Sequence, residues 1–281
     1  SSGQIGRVLE GDVPFSVKEY NLEEMPQINT KITLNIGAPD TAFKASFLPN
    51  DGVGLAREEF IIAEKVRIHP MALIDYDNVS LTKEERKIAD DLTREYSDKK
   101  EYFIHELAEG IAQIAAAFYP KKVIVRFSDF KTNEYRNLIG GRLFEGEESN
   151  PMLGFRGACR YIDKSFQPAF EMECKAIKRV REVFGLTNVC VMVPFCRTVE
   201  EGKQVVDLIR EFGLNDDMPV YVMCEIPSNV ILADQFLEIF DGMSIGSNDL
   251  TQLTLGLDRD NGGLAHIGNE NNEAVKKLIR R

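Results

Sequence analysis

Asn188-Val-Cys-Val-Met-Val193 and Val220-Tyr-Val-Met-Cys224 are apolar at nearly every position. A strand with one wet face alternates apolar and polar residues. Unbroken runs like these belong to strands buried on both faces, as in a parallel sheet covered by helices. Lys31–Ile36, Gly52–Ala56, Lys122–Phe127 and Gly242–Ile245 read the same way, and Gly154–Tyr161 is a further strand candidate, fourth in chain order. Helical spacing fills the intervals, over Glu58–Arg67, Thr82–Tyr96, Lys100–Tyr119, Phe166–Phe184, Val199–Phe212, Asn229–Phe240 and Asn272–Arg281. Thr82 with Glu85 three residues on forms a capping box, and Pro120 stops the helix before it.

Parallel strands need crossovers, so this alternation gives either a barrel or a doubly wound sheet. No Gly-x-Gly-x-x-Gly follows the first strand, which removes the main signal of a nucleotide-binding doubly wound sheet. The length of 281 residues suits one α/β barrel. The expected fold is therefore α/β, a (β/α)8 TIM barrel over residues 31–281 that lacks its last strand in this chain. Residues 1–30, punctuated by Gly11, Pro14 and Pro26, read as a linker. Ser1-Ser2-Gly3 resembles a tag remnant, and Arg280-Arg281 falls within a helical pattern, so a piece of a longer polypeptide is expected.

The formal net charge of −11 argues against a nucleic-acid partner, whose footprint is a basic patch. The longest apolar runs, such as Ile111–Tyr119, fall short of a membrane span. Five cysteines form no Cys-x-x-Cys pair and read as reduced thiols of a cytoplasmic protein. The three histidines, His69, His105 and His266, lie too far apart in sequence for a zinc motif.

Strand after strand ends in a charged or amide residue. The second runs into Arg57 and the third ends at Arg126; the segment of the fourth carries Arg156. The sixth of these segments leads to Glu225, and the seventh to Gly246-Ser-Asn-Asp249. In a barrel these ends converge on one mouth. Glu225 and Asp249, on neighbouring strands, can share one hard cation, since Mg²⁺ takes one or two carboxylates plus waters and substrate oxygens. Arginines at positions 57, 126 and 156 suit a small polyanion, because each can grip carboxylate or phosphate with two hydrogen bonds. Asn248 adds an amide beside Ser247, and Gly246 permits close backbone approach. Taken singly, each has a plainer role: a surface ion pair for an arginine, a helix cap for Glu225 or Asp249, a turn for Gly246.

Gly52-Val-Gly-Leu-Ala-Arg-Glu-Glu-Phe60, Val123-Ile-Val-Arg-Phe-Ser-Asp-Phe130, Asn150-Pro-Met-Leu-Gly-Phe-Arg-Gly157, Met223-Cys-Glu-Ile-Pro227 and Ser244-Ile-Gly-Ser-Asn-Asp-Leu-Thr-Gln252 resemble, in order, motifs of the phosphoenolpyruvate-utilising enzymes. Lys131-Thr-Asn-Glu-Tyr135 and Gly256-Leu-Asp-Arg-Asp260 bring the resemblance closest to the pyruvate, water dikinase branch. It implies the phosphoenolpyruvate/pyruvate-type barrel, Mg²⁺ on Glu225 and Asp249, and phosphoryl and substrate contacts from Arg57 and Arg126. Arg156 would assist in that pocket, and Gly246, Ser247 and Asn248 would take the substrate carboxylate and enolate. The implied reaction converts ATP, pyruvate and water to phosphoenolpyruvate, AMP and phosphate. It would pass through a phosphohistidine on a mobile domain, of which Gly6–Gly11 would be the last strand. The ATP-grasp domain and the family's proton-donating cysteine have no counterpart in the chain, so the isolated piece is expected to bind but not to turn over. Such enzymes are often homo-oligomers. The alternatives are a pyruvate, phosphate dikinase, a Mg²⁺-enolate lyase, and a non-catalytic assembly homologue; the last predicts a missing carboxylate or arginine, and none is missing.

Overall fold

The computed structural model describes Gly11, Ser16 and residues 28–258, 261–264 and 266–281. Most of the expected linker, the Gly6–Gly11 strand apart from Gly11, and the Arg259-Asp260 end of the Gly256–Asp260 motif lie outside the described residues. The described strands are β1 (Leu34–Ile36), β2 (Val53–Arg57), β3 (Val123–Arg126), β4 (Val189–Val193), β5 (Val220–Cys224) and β6 (Gly242–Ile245). They form one sheet in chain order, and every pairing is parallel. Thr33 and Asn35 at one edge line the same cleft as Ser244–Asp249 at the other, so the sheet is curled. This is the wall of a (β/α)8 barrel lacking strands, the six described running consecutively.

The thirteen α-helical segments among the described residues are α1 (Pro39–Ser46), α2 (Glu58–Ile61), α3 (Pro70–Ile74), α4 (Lys83–Thr93), α5 (Lys99–Phe118), α6 (Thr132–Arg136), α7 (Ala158–Ile162), α8 (Gln167–Lys178), α9 (Val199–Glu211), α10 (Pro227–Ile231), α11 (Ala233–Leu237), α12 (Ser247–Leu255) and α13 (Glu273–Arg280). Thr82 caps α4 through the expected box: its hydroxyl accepts from the Glu85 N–H, and the Glu85 carboxylate accepts from the Thr82 N–H. The longest, α5, buries Leu107, Ile111, Ile114 and Phe118 along one face. All five residues of β4 are buried, as expected of a strand covered on both faces. No helix among the described residues is long and apolar enough to cross a membrane.

Gly154–Tyr161 is not a strand. β3 pairs directly with β4 at every residue, from Val123 opposite Val189 to Arg126 opposite Met192, which leaves no place between them. The segment instead turns at Gly157 (φ 64°) and enters α7. A Cβ at Gly157 would lie 2.5 Å from the Pro194 carbonyl oxygen, so the turn packs against the end of β4. The helix expected over Asn229–Phe240 is broken at Leu232, whose backbone leaves the helical range, giving α10 and α11.

Under this turn sits a buried ionic clasp. Arg160 donates to both oxygens of Glu145, at 2.5 and 3.0 Å, and stacks over Tyr135, Phe155 and Phe166. His69 completes it at 3.1 Å from Glu145. Burial pushes the imidazole down from its ordinary value, against the opposing pull of the carboxylate. The clasp fastens the loop that carries Arg156 to the helical layer.

Candidate functional site

The parallel register brings Arg57 and Arg126 side by side, as partners on β2 and β3. Both line a cleft of about 700 Å³ at the C-terminal ends of the strands. The Arg57 side chain makes no hydrogen bond or ion pair with any described residue. Arg126 is held between two carboxylates, donating to Glu59 Oε1 at 2.9 Å and lying 3.3 Å from Asp129 Oδ2. Burial disfavours its charge, yet Glu59, Asp129 and Glu225 outweigh that and hold the guanidinium above its ordinary pKa.

Arg156 reaches the same cleft from the loop before α7. Its Nε and Nη2 grip Asp129 in a two-pronged bond at 3.0 and 2.7 Å, and Nη1 donates to Asp249 Oδ1 at 3.1 Å. The guanidinium lies 4.1 Å above the Phe195 ring, and the residue is 3% exposed. Asp129 is thus the shared counter-ion of two arginines on different elements.

Glu225 stands just past β5 and Asp249 in the first turn of α12, both buried. The Phe195 N–H donates to Glu225 Oε1 at 2.8 Å. Burial, then the charges of Asp129 and Asp249, push the Glu225 carboxyl up to about 8, against the pull of Arg126. Ionising Glu225 beside two carboxylates already engaged with arginine adds negative charge that a cation would relieve. Among the described residues no group of three or more His, Cys, Asp or Glu is set out to hold a metal. Two carboxylates on one cleft are nevertheless the usual protein share of a Mg²⁺ site, with waters and substrate completing it.

Gly246 has a steric reason. A Cβ there would lie 2.6 Å from Glu225 Oε2, 2.7 Å from Glu225 Cβ and 2.9 Å from Met223 Cε. Gly246→Ala is therefore expected to displace Glu225 and cost about 1–3 kcal/mol, as overpacking does. Urea unfolding measures the loss; an unchanged midpoint would mean the strand end yields freely. Ser247 and Asn248 line the cleft beside it, and Ser247 Oγ is 3.4 Å from Glu270.

The structure thus gathers Arg57, Arg126, Arg156, Glu225, Gly246, Ser247, Asn248 and Asp249 on one cleft, although Arg156 comes from a loop and not from a strand end. Sequence reasoning missed Glu59 and Asp129, which organise the arginines. Glu59 Oε1 also accepts from the Asp129 N–H at 2.5 Å, so the two carboxylates lock the end of β3 to the start of α2. The available signal was that both lie two or three residues beyond a strand-end arginine, inside the motif segments.

The family description "PEP-utilising enzyme, PEP-binding domain" matches residues 16–281. The chain is 52% identical to a phosphoenolpyruvate synthase of Aquifex aeolicus, over 99% of this chain and 38% of that protein. It is 53% identical to one of Pseudomonas aeruginosa and 50% identical to one of Escherichia coli, each over 99% of this chain and 35% of the relative. The chain spans little more than a third of the length of these relatives. A match of that extent, together with a curled parallel sheet whose strand ends gather arginines and carboxylates, settles the family: the chain belongs to the PEP-utilising enzymes, as their PEP-binding domain.

Proposed function

We propose that the cleft binds pyruvate and phosphoenolpyruvate together with Mg²⁺, as the substrate domain of a pyruvate, water dikinase. The whole enzyme would make phosphoenolpyruvate, AMP and phosphate from ATP, pyruvate and water. A mobile phosphohistidine domain of the longer chain would dock at the mouth. The observation that carries this reading is the meeting of Arg57 and Arg126, on adjacent strands, with Glu225 and Asp249 in one cleft. The names of the similar proteins support the dikinase branch. The five free thiols, four of them buried, fit a reducing cytoplasmic setting.

Glu225 and Asp249 would hold the cation, which when bound supplies Lewis-acid stabilisation of the enolate charge. Ser247 and Asn248 would orient the substrate carboxylate, with Gly246 keeping the backbone close. Arg57, which lines the cleft, would take the phosphoryl oxygens. Arg126 would share them while Glu59 and Asp129 fix its plane. Transfer of a phosphoryl group depends mainly on such positioning and charge. Arg156, engaged on Asp129 and Asp249, would act by setting those carboxylates.

Calorimetric titration with oxalate, a planar mimic of the pyruvate enolate, tests the reading. Oxalate is expected to bind only when Mg²⁺ is present. The affinity should rise with pH, because Glu225 must be ionised to serve a cation and its proton is held to about 8. Below that value each unit of pH should weaken binding up to about tenfold. Binding that needs no Mg²⁺, or none at any pH, would remove the cleft as the enolate site. A flat pH profile would remove Glu225 from the ligand set.

A further inference from the structure

Behind the arginines lies a second pair of carboxyls that the proposed chemistry does not use. Glu58 opens α2 and Glu173 lies on α8, and both are completely buried. Glu173 is well supplied with donors: the Ser128 N–H reaches Oε2 at 3.1 Å and the Ser128 hydroxyl reaches Oε1 at 2.6 Å. Ser128 is further held by Tyr135, whose hydroxyl is 2.8 Å from its Oγ, and by the Tyr161 hydroxyl, which donates to its carbonyl at 2.6 Å. Glu58 has nothing comparable. No described donor reaches either of its oxygens, and the group it faces is the Glu173 carboxyl.

An ionised Glu58 would be a buried charge without a donor, beside other carboxylates. A neutral Glu58 carries an O–H that needs an acceptor, and Glu173 is the acceptor at hand. We propose that Glu58 and Glu173 hold one proton between them, and that this proton positions the arginine clamp by fixing Ser128 and hence Asp129, its chain neighbour. The functional half of this rests on the cleft being the ligand site; the shared proton does not.

The surroundings favour it. Glu58 faces Glu173 and Glu59; around Glu173 lie Glu59, the Tyr135 and Tyr161 phenols and the Cys174 thiol. Neither carboxyl has an ion pair with a described cation; Arg160 lies over the Tyr135 ring. Burial first, then the neighbouring carboxylate, raises Glu58 well above its ordinary value. Burial likewise raises Glu173 to about 7, in spite of its two bonds from Ser128. The proton belongs to the pair and not to either residue. Released to solvent as pH rises, it leaves two like charges in a dry pocket. Relief then comes from movement of Ser128 or entry of water, and either loosens Asp129 from Arg126 and Arg156. For acids with raised folded-state pKa, the associated stability is complete below the unfolded value of about 4.5 and is lost as pH rises through about 7.

The test compares the chain with E58Q, whose amide supplies a donor to Glu173 at every pH. Two measurements are made: thermal melting without ligand from about pH 4.5 to about pH 8.5, and oxalate affinity with Mg²⁺ from about pH 6 to about pH 8.5. Wild-type melting temperature should fall relative to E58Q from about pH 4.5 to about pH 7, where the unfolded acid has lost the proton and the folded pair keeps it, and level off above. The ratio of affinities, E58Q over wild type, should grow from near one to about tenfold. Glu225 titrates in both proteins and cancels in the ratio. E58M, apolar and of similar length, serves if E58Q folds poorly, since it removes the like charge and should flatten the melting profile as well. Parallel melting curves for wild type and variant overturn the shared proton. Diverging melting curves with a constant affinity ratio overturn the positioning role. Failure of oxalate to bind either protein falls on the ligand reading, and the melting curves still decide the pair.

Discussion

Arg156→Met is expected to lower stability by about 3–5 kcal/mol and to abolish Mg²⁺-dependent oxalate binding in the same protein. Methionine keeps much of the length and can still lie over Phe195, so the loss is chiefly that of the charge and its donors. Three hydrogen bonds to carboxylate oxygens disappear, two to Asp129 and one to Asp249. Asp129, Asp249 and Glu225 then face one another without the guanidinium that bound two of them, and Glu225 is already pushed up by burial and then by the charges of the other two. Removing one partner of a buried pair costs more than the pair contributes, because the remaining charge is uncompensated. Relaxation would have to come from protonation or from carboxylates turning away, and either spoils the cation site. Urea unfolding gives the stability and calorimetry the binding. A loss under about 1 kcal/mol, the range of an exposed pair, would show that water replaces the guanidinium readily.

Most of this architecture can be read directly from the chain. Val189–Val193 and Val220–Cys224 are apolar throughout because both faces are covered, and that property is written residue by residue. Arg57, Arg126 and Glu225 could be found because each falls at or just past a strand end, where a barrel collects its functional side chains. The Gly154–Tyr161 error has the same origin. Phe155, Ala158 and Tyr161 look like strand residues, yet they pack from a turn and one helical turn, a distinction that depends on β3 pairing directly with β4. Arg156 was found for the wrong local reason and still lines the cleft. Asp129, Glu59 and Glu58 were illegible for a different cause. A carboxylate's role depends on which cation or carboxyl faces it across the fold, and Glu58 meets Glu173 over a separation of more than a hundred positions in the chain.

Asp249→Asn should weaken Mg²⁺-dependent oxalate binding by at least about 100-fold, the upper range for loss of a residue that merely supports a metal ligand. It should do so with little harm to the fold. The amide oxygen still accepts from Arg156 Nη1, and Arg156 keeps both bonds to Asp129. The charge lost from the first turn of α12 costs about 0.3–1 kcal/mol through the helix dipole. Asp249 is also among the charges that push Glu225 up, so its neutralisation should lower the Glu225 pKa and move any residual pH dependence downward. Arg156→Met and Asp249→Asn therefore separate two roles of one carboxylate. The first variant leaves the charge without its guanidinium; the second leaves the guanidinium with a neutral acceptor. Binding lost in both, with stability lost only in the first, assigns Asp249 to the cation and Arg156 to its placement. Oxalate affinity retained in Asp249→Asn would mean instead that Asp249 serves Arg156 and not the cation, and that Glu225 meets the cation without it.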